Sequence, residues 1–71
     1  MVNSDKIKER MDKLSIKQKA IGEVLGIATP TVSQKINNVR PFSLEEAEKL
    51  AKVLHIEDEK FGEFFFGNNI A

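Results

Sequence analysis

Residues 18–36 read QKAIGEVLGIATPTVSQKI, and this stretch decides the fold of the chain. Apolar residues recur in it at the three- and four-residue spacing of a helix, on both sides of Gly26. They are Ile21, Val24, Leu25, Val32 and Ile36, and Val39 continues the series. Glycine directly after a helix favours the left-handed conformation that ends it. The pattern therefore predicts two short helices joined by a tight turn.

Gly22 and Pro30 are unusual residues for helices, and each has a physical explanation. Glycine inside a helix costs about 1 kcal/mol relative to alanine, so Gly22 indicates that the two helices pack closely there. Proline is favoured in the first turn of a helix, where its missing N–H would have no partner. We therefore expect Thr29 to cap the second of these helices and Pro30 to be its first helical residue.

The same spacing predicts further helices around this pair. Ser4 is the expected N-cap of a first helix, whose apolar residues are Ile7, Met11 and Leu14. The helix that contains Gly22 has two possible starts. Ser15 and Gln18 form a capping-box pattern, but Lys17 can also precede a helix that opens at Gln18.

A fourth helix opens at a clear capping box, Ser43 with Glu46. Its expected buried stripe is Leu44, Ala47, Leu50, Ala51 and Leu54. A short fifth helix is expected over about residues 57–65. The sequence thus predicts an all-α fold, a compact five-helix domain over residues 1–66, followed by a flexible tail, residues 67–71.

Composition excludes several classes of protein. The chain has 71 residues, which suits one small domain, and no cysteine, so a disulfide framework or thiolate metal site is ruled out. The single histidine, His55, lacks the partners that a metal site or a catalytic constellation would need. We therefore expect no enzymatic activity, no metal and no cofactor. The lack of a signal-like or membrane-spanning apolar run favours an intracellular location and no membrane partner.

Charge is unevenly distributed, although the net charge is zero. Residues 1–40 carry eight basic and four acidic side chains, whereas residues 41–71 carry three basic and seven acidic ones. Such asymmetry suits a polyanionic partner for one face of the molecule. Charge alone leaves this interpretation and an accidental split about equally well supported.

The stretch that begins at Gln18 resembles the helix-turn-helix of Cro- and lambda-repressor-type DNA-binding domains, the XRE family. The matching features are Gln18 at the start of the first motif helix, the small Gly22, the LGI turn at residues 25–27 and Val32. The downstream segment RPFSLEEAEKLAKVL resembles the fourth helix of the same family. The glycine that often follows the second motif helix is Asn38 here, which also tolerates a left-handed conformation.

The resemblance implies that the second motif helix reads bases in the major groove of DNA. With Val32 and Ile36 turned inward, its outward face is uncharged and rich in hydroxyl and amide groups. Gln34 on that face can pair with an adenine edge through two hydrogen bonds. The base-reading positions implied by the family are Thr29, Pro30, Ser33 and Gln34.

Residues around this face are expected to contact phosphates and so to position the protein. The resemblance implies this role for Gln18, at a helix N-terminus whose free N–H groups favour anions. The full set of candidates is Lys17, Gln18, Lys19, Thr31, Lys35, Asn37, Asn38 and Arg40. For each lysine the alternative is a contribution to solubility alone, and the basic residues of the first helix can be read as its solvated face.

Four of the five phenylalanines lie within six residues near the C-terminus. One interpretation is a homodimer interface formed by Phe61, Phe64, Phe65 and Phe66, because one small core has difficulty hiding all four rings. The other is that two or three of these rings close the core under the fifth helix.

These observations predict a sequence-specific transcriptional regulator that binds double-stranded DNA. We favour a small phage or prophage Cro-like repressor, which binds a near-palindromic operator as a homodimer and has no small-molecule ligand. An antitoxin that regulates its own operon is a close variant. The alternative from another class is a protein-interaction module that reuses the fold and docks through its phenylalanine cluster.

Overall fold

The computed structural model describes residues 1–66, and these residues form five α-helices and no β-strand. The all-α expectation is therefore confirmed. The helices are α1 (Ser4–Leu14), α2 (Gln18–Leu25), α3 (Thr29–Ile36), α4 (Leu44–Val53) and, after a 3-10 turn at Asp58–Lys60, α5 (Phe61–Phe65). The predicted flexible tail, residues 67–71, lies outside the described residues.

One apolar core lies between the helices. Helix α2 packs against α3 and α4, while α1 packs against α3 and α5. The largest fully buried side chains come from four of the five helices and the end of α4: Ile7, Ile21, Val32, Ile36, Leu50 and Leu54. Helix α3 thus has neighbours on its inner side only, and its outer side is left to solvent.

Gly22 is the point of closest approach between α2 and the chain that leads into α3. A methyl group added at Gly22 would lie 2.7 Å from the carbonyl oxygen of Ile27 and 3.4 Å from a methyl carbon of Val32. The first distance is far inside van der Waals contact, and the atom that it meets is backbone. Close packing is therefore confirmed as the reason for a glycine inside α2.

Four helices end in the same way, with one residue in the left-handed region. These residues are Ser15 (φ 57°), Gly26 (φ 73°), Asn38 (φ 64°) and His55 (φ 54°). In each case the next residue donates its backbone N–H to the carbonyl five positions earlier, at 2.8 to 3.0 Å. This is the hydrogen-bond pattern that closes a helix and reverses the chain. Three of the four turns make it without glycine.

Two of the expected helix starts are displaced by one residue. The N-cap of α1 is Asn3, whose side chain accepts a hydrogen bond from the N–H of Lys6, and Ser4 is already helical. The N-cap of α3 is Ala28, so Thr29 is its first helical residue. Both expectations were wrong because the capping residue must be extended, and here the residue before the predicted cap takes that conformation.

The starts of α2 and α4 follow the sequence, whereas the fifth helix, expected from about residue 57, begins only at Phe61 after the 3-10 turn. Helix α2 opens at Gln18 after Lys17, and Ser15 instead ends α1. The capping box of α4 is present in full, because Ser43 accepts from the N–H of Glu46 and Glu46 accepts from that of Ser43.

Two expected core positions are more than half exposed, and a third, Val24 on α2, is 47% exposed. Val39 follows the left-handed turn after α3, so it no longer continues the helical stripe and is 69% exposed. Leu44 is the first residue of α4 and is 67% exposed. A helical stripe predicts burial only where a neighbouring element covers it, and these two residues lie beyond that cover.

The phenylalanine cluster divides between core and surface. Phe64 and Phe65 are buried, which contradicts their assignment to a homodimer interface. Phe65 stacks on Phe61, with ring centroids 4.5 Å apart, and meets the edge of Phe42. Phe66 remains on the surface, 58% exposed. Phe64 and Phe65 follow Phe61 by three and four residues, so all three rings lie on one side of α5, and the two buried rings close the core.

Candidate nucleic-acid interface

Helix α3 divides into an inner and an outer face. Val32 and Ile36 are fully buried against the rest of the domain. At 100° per residue, Gln34 lies opposite to them and is exposed. The two flanks of the helix differ. Ser33 and Asn37 lie on one flank, and Lys35 lies on the other, where its side chain turns toward α4. The outer face is therefore a narrow, uncharged surface about two turns long.

The four residues expected to read bases all belong to the first two turns of α3. Thr29, Pro30 and Gln34 are exposed and Ser33 is partly buried. Because Ala28 is the N-cap, the hydroxyl of Thr29 has no capping duty and is available to a ligand. Alanine has no side-chain acceptor, so the side chain of Ala28 does not cap the N–H groups in the first turn of α3.

A local hydrogen bond orders one edge of this face. The side-chain amide Nδ2 of Asn37 donates to the carbonyl oxygen of Ser33 at 2.9 Å and lies 3.4 Å from its hydroxyl. The Asn37 side chain therefore lies back along α3 and reduces the freedom of the Ser33 hydroxyl. Helical spacing predicts that Ser33 and Asn37 both face outward, but only the structure shows that they touch.

Lys35 is held inside the domain, away from the expected phosphate contacts. Its ammonium group donates a hydrogen bond to the Oε1 atom of Glu46 on α4, and the two side chains are only 13% and 19% exposed. The ammonium also lies 6.0 Å from the centre of the Phe42 ring. We therefore leave Lys35 out of the proposed DNA-contacting set and describe it as a link between α3 and α4.

The same ion pair changes the acidity of Glu46. The hydrogen bond from Lys35 holds the pKa of this carboxyl below its ordinary value, and the N–H of Ser43 lowers it further. Partial burial acts in the opposite direction and does not prevail. Glu46 is therefore ionised near neutral pH, and it joins the capping box of α4 to the flank of α3.

Asn38 also lies in a different environment from the one expected. Its side-chain amide is bonded to the N-terminal segment: Oδ1 accepts from the N–H of Val2 at 2.8 Å, and Nδ2 donates to the Val2 carbonyl at 3.0 Å. A further bond joins Nδ2 to the hydroxyl of Ser4 at 3.2 Å. The left-handed conformation expected for Asn38 is confirmed, but its amide faces the protein.

The other expected phosphate contacts lie on the surface around α3. Lys17 and Lys19, at the start of α2, and Arg40, beyond the end of α3, are exposed. Gln18 opens α2 and is partly buried, as is Thr31 on α3. Three cationic side chains therefore flank an uncharged face, two before it and one after it in the chain.

Arg10 has a role that the sequence pattern did not reveal. It was read as part of the solvated face of α1, but its guanidinium donates to the carbonyls of Leu54 and His55, each at 3.0 Å. It also lies 5.2 Å from the centre of the Phe64 ring. Arg10 therefore donates hydrogen bonds to the carbonyl groups at the C-terminal end of α4, and its guanidinium lies over the ring of Phe64. No local spacing could have indicated this, because the partners are more than 40 residues away.

None of the helices in residues 1–66 combines the length and the apolar character that crossing a membrane requires. Within the same residues, no group of three or more His, Asp or Glu side chains is arranged to hold a metal ion.

The inner and outer faces of α3, its tight turn from α2 and its flanking cations together define a helix-turn-helix domain. Comparison with family models agrees, since residues 7–61 match a helix-turn-helix family, HTH_3. The chain therefore belongs to the XRE-type helix-turn-helix family, whose members are DNA-binding transcription regulators. No curated protein matches the chain at a significant level of similarity.

Proposed function

We propose that this protein is a Cro-like repressor of phage or prophage origin, which acts in the bacterial cytoplasm and binds a near-palindromic operator. The observation that carries the proposal is the outer face of α3, where exposed groups that can hydrogen-bond carry no charge and cations lie to either side. Ordinary surface helices mix charges, as α4 does here. A surface that reads base edges needs donors and acceptors, while attraction to phosphate comes from its surroundings.

In this proposal Gln34 is the main base-reading residue. It lies opposite to the buried face of α3, and its amide can accept from and donate to adenine at the same time. Ser33 lies beside Gln34 and Thr29 lies at the exposed start of α3, and both offer hydroxyl groups, while Pro30 offers an apolar surface that a thymine methyl group can contact. Asn37 restrains Ser33 before DNA arrives, so less freedom is lost on binding.

The proposed phosphate contacts are the residues that surround this face. Gln18 and the adjacent lysines lie where α2 begins, and the N-terminal end of a helix attracts anions. Arg40 lies on the other side of the reading face, after the turn that ends α3. Thr31 and Asn37 complete the set. These contacts supply affinity without sequence preference.

Operator selection across a salt series tests the proposal. The protein is incubated with a library of random duplexes at several salt concentrations, and the bound fraction is sequenced. We expect one enriched motif and an affinity that falls steeply with salt. Flat, undetectable binding at every salt concentration would refute DNA recognition.

Two matched substitutions then separate base reading from phosphate contact. Gln34→Ala is expected to lose about 1–3 kcal/mol at one base position and to relax discrimination there. Lys19→Ala is expected to weaken binding to every sequence alike and to reduce the salt slope by about one. A uniform loss for Gln34→Ala would instead make Gln34 a phosphate contact.

We also propose that two copies bind the operator, since a near-palindromic site matches a twofold symmetric protein. The surface proposed for the homodimer is an apolar patch formed by Met1, Leu44, Phe61 and Phe66, which line one shallow groove. Three of these side chains are more than half exposed, an unusual concentration for a small monomer. The buried Phe65 also lines this groove, whereas Phe64 lies away from it, beneath Lys6 and Arg10 of α1.

Sedimentation of charged variants tests the homodimer. Leu44→Lys is expected to remain monomeric at concentrations where the unmodified protein dimerises. Val24→Lys places the same charge on another exposed aliphatic position, outside the patch, and is expected to dimerise normally. An unmodified protein that stays monomeric at high concentration and on DNA would refute the homodimer.

The same patch favours one second candidate, a protein-interaction module built on this fold. That function requires the apolar patch but makes no demand on the outer face of α3. If operator selection fails and Leu44→Lys abolishes binding to a protein partner, the protein-interaction function is supported over DNA recognition.

A further inference from the structure

We propose that Asn38 is a positioning residue for DNA binding, which holds the turn after α3 so that Arg40 faces a phosphate. This inference rests on the DNA-binding function proposed above. It concerns an asparagine that makes no contact with DNA and acts only through the segment that it fixes.

The first step is the hydrogen-bonding capacity of the amide. An asparagine side chain has two N–H donors on Nδ2 and one carbonyl acceptor. In the structure Nδ2 donates to the Val2 carbonyl and to the Ser4 hydroxyl, and Oδ1 accepts from the Val2 N–H. Both donors are therefore engaged within the protein. A phosphate offers only acceptors, so Asn38 has no donor left for it.

The second step is the attachment of the segment that Asn38 holds. The hydroxyl of Ser4 donates to the carbonyl of Ile36, the last residue of α3. The N–H of Asn3 donates to the carbonyl of Phe64 in α5 at 2.8 Å, and Val2 is buried. Residues 2–4 thus form a strut that joins the end of α3 to α5, and Asn38 is fastened to this strut.

The third step links Asn38 to the proposed DNA contacts. With Asn38 in the left-handed region, the N–H groups of Val39 and Arg40 both donate to the carbonyl of Gln34, at 2.8 and 3.3 Å. The residue proposed to read a base is thereby bonded through its backbone to the residue proposed to contact a phosphate. The Asn38 side chain fixes this arrangement from outside, because it anchors the residue between them to the strut.

Glycine at position 38 separates the effect of the left-handed backbone from the effect of the side-chain amide. Asn38→Gly keeps the left-handed backbone, which glycine adopts readily, and removes the side-chain amide that hydrogen-bonds to the strut. The turn can then still form, but it is no longer held to residues 2–4. Neither residue carries a charge, so a change in the salt slope of DNA binding would come from the position of Arg40 and not from Asn38 itself.

The experiment is a double-mutant cycle on a DNA duplex selected by the unmodified protein. Affinity is measured by fluorescence anisotropy across a salt series for the unmodified protein, Asn38→Gly, Arg40→Gln and the double variant. All measurements are made well below the melting temperature of each protein. We expect Asn38→Gly and Arg40→Gln each to weaken binding roughly tenfold, the usual effect of losing one charge-assisted contact. The double variant is expected to be little weaker than Arg40→Gln alone.

The salt slope gives a second readout. Arg40→Gln removes a cation and is expected to reduce the slope by about one. Asn38→Gly is expected to reduce it by a similar amount, although it changes no charge, because Arg40 no longer reaches its phosphate. A direct amide–phosphate contact would release no counterion, so it would leave the slope unchanged and the two substitutions would be additive.

Control variants separate positioning from stability. His55→Gly replaces another left-handed residue at a helix end, far along the chain from α3, and is expected to leave affinity and salt slope unchanged. Ser4→Ala removes the bond from the strut to Ile36 and is expected to weaken binding in the same direction as Asn38→Gly, which provides a test even where the glycine variant fails to fold.

The outcomes are distinguishable. If Asn38→Gly lowers the melting temperature but retains affinity and salt slope, the positioning role is refuted and the proposed function stands. If the unmodified protein selects no operator, the proposed function fails and the positioning role fails with it.

Discussion

The ion pair between Lys35 and Glu46 offers the sharpest test of how α3 is held in place. Glu46→Gln removes the negative charge and keeps the size of the side chain. The glutamine oxygen can still accept the hydrogen bond from the N–H of Ser43, because glutamine is also a normal capping-box residue. The substitution therefore leaves the start of α4 intact and leaves the ammonium group of Lys35 without its anion.

The expected magnitude follows from the exposure of the pair. Exposed ion pairs contribute about 0.2–1 kcal/mol, whereas hydrogen bonds to charged groups in partly buried sites contribute about 1.5–3 kcal/mol. The two side chains are 13% and 19% exposed, which places the pair nearer to the second case. We expect a loss of about 1.5–2 kcal/mol in the free energy of unfolding. In a domain of this size that corresponds to roughly 6–15 °C in melting temperature.

The effect depends on pH with a definite sign. The pKa of Glu46 is lower in the folded protein than its ordinary value of 4.5, so the carboxylate stabilises the fold fully above that value. As the pH falls through the lowered pKa, Glu46 becomes protonated and the contribution is lost. The difference in stability between the unmodified protein and Glu46→Gln is therefore expected to be constant near neutral pH and to shrink below pH 4.5.

Urea unfolding followed by circular dichroism, at neutral pH and at several acidic values, measures this difference. Glu45→Gln is the matched control, because Glu45 lies in the same first turn of α4 but pairs with Lys49 at 3.8 Å while 80% exposed. It is expected to change stability very little. Equal, small effects of the two substitutions would refute the reasoning, as would a Glu46→Gln deficit that persists unchanged at pH 3.

Three further substitutions test the backbone features. Gly22→Ala is expected to destabilise the fold by about 1–2 kcal/mol in chemical denaturation despite the higher helix propensity of alanine, because its methyl would lie 2.7 Å from the Ile27 oxygen; a more stable variant would contradict the close approach. His55→Gly is expected to add about 0.5–1 kcal/mol of stability by relieving a left-handed residue, and an unchanged urea midpoint would show that no such cost exists. Ala28→Ser is expected to add about 0.5–1 kcal/mol by capping α3, detectable as a higher melting temperature.

Local pattern was sufficient for most of the fold. Helical spacing identified the helices, and the Ser43 capping box and the turn at Gly26 have short-range causes that a sequence shows directly. The cap of α1 was displaced by one residue because Asn3 and Ser4 can each serve, whereas α3 begins after Ala28, which has no side-chain acceptor for a capping pattern to identify. For α3 this shift leaves the hydroxyl of Thr29 free of capping, as its proposed base-reading role requires.

The hydrogen-bond and ion-pair partners of individual polar side chains could not be predicted in the same way. Lys35 and Asn38 were grouped with the phosphate contacts, because position on a helix shows which way a residue points but not which partner meets it. Their partners come from α4 and from residues 2–4. Phe64 and Phe65 were misjudged for a related reason: the size of the core depends on how all five helices close around it, which no single segment reveals.

The separation of the two faces of α3 has a consequence for how such a protein changes its target. The side chains that hold the helix in place lie on its inner side, as Val32 and Ile36 do, or on the flank that faces α4, as Lys35 does. The outer positions, such as Gln34, contribute little to keeping the domain folded. Substitution there is therefore expected to leave stability almost untouched. Under the proposed function, a lineage of such proteins can change from one operator to another through sequences that all fold, and an engineer can randomise the same positions without first stabilising the scaffold.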